Sequence, residues 1–124
     1  MDIEKNGLYK VVVFLPEEFL ELMMYAVDAV TRRVFPGYDR TFSYFPVTGT
    51  WRTLEDADPY SGKVGEISVD REMRLEFAVQ GRDLLEALKA VRENHPYETP
   101  AIDVMPIMSG LTLLAQSSLQ GSKL

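Results

Sequence analysis

Two stretches of this chain carry the same patterns in the same order, and that doubling leaves few folds open. Leu8 to Leu15 (LYKVVVFL) is β-branched, aromatic and apolar on both faces, which predicts a strand in the middle of a covered sheet or one with a face in a subunit contact. Met73 to Val79 (MRLEFAV) alternates. Met73, Leu75, Phe77 and Val79 point one way, and Arg74, Glu76 and Ala78 the other. A helical pattern follows each strand. Sliding the chain along itself until Val11 falls on Leu75 also puts Val13 on Phe77, Leu20 on Leu84, Met24 on Leu88 and Val27 on Val91.

The remaining elements fit around this pair. Pro16-Glu17-Glu18 opens a first helix over 16–35, with Phe19, Met23, Val27, Val30 and Val34 on one stripe. Arg32 and Arg33 fall in its last turn, and Pro36-Gly37 ends it. A second strand or hairpin covers 38–52, and the turn-rich stretch 53–65 is a loop. The third strand runs over 66–79, a second helix over 82–94, and a last strand over 101–107. Pro106 places that last strand at a sheet edge or ends it there. Residues 1–107 thus read as one α+β domain. It is a ferredoxin-like βαββαβ sandwich, a four-stranded antiparallel sheet with both helices on one face. Residues 108–124 form a C-terminal tail, readable as a helix, an added strand or a swapped arm. The face without helices carries Val12 and Phe14 and needs a cover, which oligomerisation supplies.

Composition narrows the chemistry. The net charge of −6 argues against a nucleic-acid partner. There is no cysteine, which removes disulfides, thiol catalysis and thiolate metal sites, and the single His cannot form a His-rich centre. The start, Met1 to Gly7, is polar, and the longest apolar run, Val11 to Pro16, is far too short to span a bilayer. No membrane partner is expected, and the cytoplasm is the expected compartment. The acidic run Glu55 to Gly62 fails the calcium-loop test, because Ser61 stands where Gly is required. No phosphate-binding or dinucleotide glycine motif is present.

One segment is distinctive. His95-Pro96-Tyr97-Glu98-Thr99-Pro100-Ala101-Ile102-Asp103-Val104-Met105-Pro106-Ile107 resembles a segment of the inserted domain of bacterial NIF-three-like proteins. Val13 to Glu18, Gly37 to Arg40, Thr48 to Arg52 and Gly62 to Glu66 agree with that domain in order and spacing. Thr99 stands where a Glu is usual, and Ile102 and Met105 where Tyr is usual. The resemblance implies a CutA/PII-like domain of the kind that assembles as a homotrimer. It covers most of Tyr9 to Ile107. The dimetal body of the larger relatives has no counterpart here.

Three groups are candidate ligand contacts. His95 sits at a helix end, where the dipole favours its protonated form. It caps the last carbonyls or contributes to a metal or anion site, with a threefold axis gathering three imidazoles. Tyr97 and Glu98 lie in a rigid turn between two prolines and form either a strand-placing corner or a pocket lip. Tyr38 and Arg40, with Thr48, Gly49, Thr50 and Arg52, share one hairpin. Arg40 and Arg52 offer forked donors to a carboxylate or phosphate, or else belong to a surface network. A divalent metal is the one cofactor class suggested, at His95.

The function read from these features is a non-enzymatic regulatory module. It binds a small ligand, metal ion or protein at clefts between the subunits of a homo-oligomer, a trimer by the resemblance. The alternatives are an accessory subunit for a separate NIF-three-like metalloprotein, and a small hydrolase using His95 as general base with Glu98 or Asp103 orienting it.

Overall fold

The computed structural model describes residues 2–119. Its elements are β1 (Leu8–Leu15), α1 (Leu20–Asp28), β2 (Ser43–Arg52), β3 (Ile67–Gln80), α2 (Gly81–Asn94), β4 (Ile102–Ile107) and α3 (Gly110–Leu119). The four strands form one antiparallel sheet in the order β2-β3-β1-β4. The two patterned strands are the inner pair, and Pro106 lies on an edge strand, as its missing donor requires.

Alternation along the strands decides what is buried. Val11 stands between Phe77 and Val104, and Val13 between Leu75 and Ile102. These rows face α1 and α2 and meet Met23, Val27, Leu84 and Val91 in the core. The opposite face differs from the expected bare apolar surface. Val12 is only 1% exposed. Beside it the Arg74 guanidinium lies 5.6 Å from the centre of the Phe14 ring and 5.8 Å from that of Phe45, and its Nε pairs with Glu76 at 2.8 Å. The protomer therefore roofs this part of the sheet itself.

The first helix is shorter than its spacing predicts. A 3₁₀ turn (Glu17–Phe19) leads into α1, which ends at Asp28 rather than at Phe35. Long-range bonds override the periodicity of Val30 and Val34. Buried Asp83 accepts the Arg32 N–H at 2.9 Å and pairs with its guanidinium at 3.3 Å, drawing the chain off the helix axis. The second strand likewise starts at Ser43, not Tyr38. Residues 35–40 make a turn closed by Tyr38 N–H to the Phe35 carbonyl at 3.0 Å, with Gly37 at φ +88°.

β1 pairs with β3 only as far as Met73, whereas β2 pairs with β3 out to Ile67. Val47–Arg52 and Ile67–Glu72 therefore continue as a two-stranded arm beyond the body. Ile67 and Val69 on this arm are 72% and 66% exposed. In the tail, α3 carries Leu111 and Leu114 exposed to solvent.

Candidate functional site

The arm, the end of β1 and the turn after α2 enclose a groove of about 720 Å³. His95 sets the geometry at its base. It follows the last residue of α2 in extended conformation, as a residue before proline must. Phe14, near the end of β1, gives its N–H to the Ala101 carbonyl at 3.3 Å. Its own carbonyl meets His95 Nε2 at 2.7 Å. The imidazole therefore supplies a bond that β4 does not reach to make.

The other ring nitrogen, Nδ1, accepts the Tyr97 N–H at 3.1 Å. An accepting Nδ1 puts the ring proton on Nε2, which then donates to Phe14. Burial lowers the His95 pKa, opposed by the bond to Phe14 and reinforced by the Arg92 charge. The ring is therefore neutral at neutral pH, contrary to the protonated form expected from the helix dipole. Both nitrogens are engaged within the protomer, which leaves no lone pair for a metal or for a general base. Among the described residues, no group of three His, Asp or Glu side chains is placed to hold a metal ion.

Tyr97 rises from this base, with its ring centre 4.8 Å from that of His95. Its hydroxyl donates to Glu72 Oε2 at 3.2 Å. Burial first, then the charge and hydrogen bond of Glu72, push the phenol pKa well above its ordinary value, so the hydroxyl keeps its proton. Glu72, 9% exposed, lies across Gly49 of the neighbouring strand.

The acidic loop arches back over this floor. Asp58 N–H donates to Glu98 Oε2 at 2.6 Å, and Arg92 holds the Glu98 carbonyl at 2.9 Å. The Tyr60 hydroxyl donates to Glu18 Oε1 at 2.9 Å, a bond that raises its pKa. Its ring meets Phe19 edge-on at 6.0 Å and Tyr97 at 5.8 Å. Phe19, Tyr60, Tyr97 and His95 thus form a continuous aromatic row.

The candidate residues separate into two places. Thr50, Arg52, Tyr97 and Glu98 line the groove, Gly49 lies under Glu72, and His95 supports the floor. Thr48 sits on the arm opposite Arg71 and does not line the groove. Tyr38 and Arg40 are elsewhere. Arg40 takes φ +50°, pairs with Asp28 at 3.6 Å and stacks 4.7 Å from the Tyr25 ring, so its guanidinium is held by the fold. Trp51, Tyr60 and Glu72 also line the groove, and the sequence reading did not include them. Glu72 carries no local sequence signal, because its place beside Gly49 exists only once β2 and β3 pair.

No protein-family model matches the chain. A curated relative from Staphylococcus epidermidis, named GTP cyclohydrolase 1 type 2 homolog, is 33% identical over 95 residues. The match covers 77% of this chain and 26% of that protein. A solved Bacillus cereus protein related to NIF3 superposes with a TM-score of 0.72 at 26% identity, over 84% of this chain and 26% of that one. The chain resembles a part of NIF3-related proteins. It spans about a quarter of the length of these relatives. CutA from Archaeoglobus fulgidus superposes at TM-score 0.63 and 18% identity, over 88% of this chain and 92% of that one. GlnK from Bacillus subtilis does so at 0.58 and 13%, over 82% and 85%. These two likenesses concern the fold, which is the CutA- and PII-like version of the ferredoxin-like sandwich.

Proposed function

We propose that the chain is a regulatory binding module that holds a small ligand in the groove between the arm and the Tyr97 turn. The groove itself carries this reading. It is concave, rich in aromatic rings, and roofed by a loop tied down at Asp58 and Tyr60. The module is taken as residues 1–107, with 108–124 as an appended segment.

The module works as a homo-oligomer, a trimer by the fold's resemblance, with the groove completed at a subunit cleft. Exposed Ile67 and Val69 on the arm support this assembly, because a protruding apolar strand pair gains by being covered. Operation in the cytoplasm suits a chain without cysteine. Among the described residues, no helix is long and apolar enough to cross a membrane.

The relatives' names point to GTP, and a GlnK structure contains ATP. Glu72, Glu98 and Asp56 line this groove and would repel a triphosphate, so nucleotide chemistry is not carried over. A second reading, a module that docks on a NIF3-like body, rests on the chain spanning a quarter of its relatives and on the exposed leucines of α3.

Native mass spectrometry of protein purified without a metal-affinity step tests the proposal. A trimer carrying a stoichiometric small mass is the expected result. A bare monomer that acquires no small molecule overturns it.

A further inference from the structure

The groove's chemistry names a class of occupant. The protein already binds one organic cation of its own on this side of the sheet. The Arg74 guanidinium sits between the rings of Phe14 and Phe45 and pairs with the Glu76 carboxylate. Phe14 also lines the groove. The groove repeats the same ingredients, with Trp51, Tyr60 and Tyr97 as rings and Glu72, Glu98 and Asp56 as carboxylates.

Among the described residues, no Lys or Arg side chain forms an ion pair with Glu72, Glu98 or Asp56. Glu72 is buried, yet its one side-chain partner is the neutral Tyr97 hydroxyl. A guanidinium or amine reaching this carboxylate would add a charge-assisted hydrogen bond that the Tyr97 hydroxyl does not supply. Arg52 is the one cationic side chain lining the groove, against three carboxylates.

We propose that this groove binds a small organic cation bearing a guanidinium or amine group, seated against Trp51, Tyr60 and Tyr97 and paired with Glu72. The rings offer their negative faces to the cation, an attraction worth about two- to fivefold in affinity for each ring engaged at a solvent-accessible site. A groove of about 720 Å³ is of the size that takes a small molecule. The inference rests on the binding-module reading and specifies its ligand.

The test uses butylguanidinium as probe and butylurea as its neutral counterpart of the same shape. Trp51, the only tryptophan, reports occupancy by its fluorescence. Saturable quenching by butylguanidinium and none by butylurea is expected, with calorimetry giving the affinity. Glu72→Gln is expected to weaken binding about tenfold, and Tyr60→Ala, in the exposed loop, about two- to fivefold. Equal responses to the two probes, or unchanged binding in both variants, would overturn the proposal. Tighter binding of an arginine-bearing peptide than of the free cation would overturn the small-molecule occupant in favour of a protein. A neutral or anionic molecule found bound in native mass spectrometry would overturn the cation while leaving the module reading intact. A protein that carries no small molecule and binds neither probe would remove both.

Discussion

The Glu72 carboxylate lies across Gly49, in the space that a β-carbon at position 49 would occupy. The backbone there is not in the left-handed region, so glycine provides room for the carboxylate rather than a special conformation. Gly49→Ala is therefore expected to push the carboxylate, the flexible end of the Glu72 side chain, away from Tyr97 at a cost of about 0.5–1.5 kcal/mol, that of one hydrogen bond. Thermal melts of Gly49→Ala in wild-type and Glu72→Ala backgrounds check this. The alanine should cost clearly less once the carboxylate is gone, and an equal cost would refute the steric relationship.

His95 supplies a pH dependence of known sign. In the unfolded chain its pKa is the ordinary 6.5, and in the folded protein burial lowers it. The unfolded state thus binds the proton more readily. The stability linked to neutral His95 is fully present above about pH 6.5 and declines as pH falls through the lower folded value. Urea unfolding at pH 7.5 and 5.5 should show the loss. His95 is the only histidine, so His95→Gln should flatten the profile over this range. A profile of unchanged steepness would mean that the ring is not the responsible group. His95→Ala, which leaves the Phe14 carbonyl without its donor, should cost about 1–3 kcal/mol at pH 7.5.

Glu98 holds the loop by one exposed bond, so Glu98→Ala should leave global stability within about 0.5 kcal/mol. Its effect should be local. Hydrogen exchange at Asp58 and its neighbours is expected to quicken, while that of β1 and β3 stays unchanged. Unaltered exchange in the loop would show that the Tyr60 contacts alone suffice.

The proposed assembly through the arm is tested at Val69. Val69→Lys places a charge at a 66% exposed site and is expected to leave the monomer fold intact while lowering the oligomeric mass. Sedimentation of the variant and wild type decides it. An unchanged mass would move the interface away from the arm.

The sheet was legible because β1 and β3 state their positions locally. A run apolar on both faces and a strict alternation each admit one place in this topology. The end of α1 was not legible. Val30 and Val34 keep helical spacing, and only Asp83, far along the chain, draws Arg32 off the axis. The groove was legible in part. Tyr97 and Glu98 stand out in a compact motif, whereas Trp51, Tyr60 and Glu72 come from three separate segments and meet only after folding. Arg40 shows the converse. Its placement near Arg52 in sequence suggested a shared site, and a left-handed turn sends it to Asp28 instead.

The clasp on the loop is made by the backbone of Asp58, not by its side chain. Any residue except proline provides that N–H. The attachment is therefore indifferent to what residue 58 is, while Asp56 and Tyr60 of the same loop line the groove. A lineage carrying this loop can change what the rim attracts one substitution at a time, without first letting go of the lid.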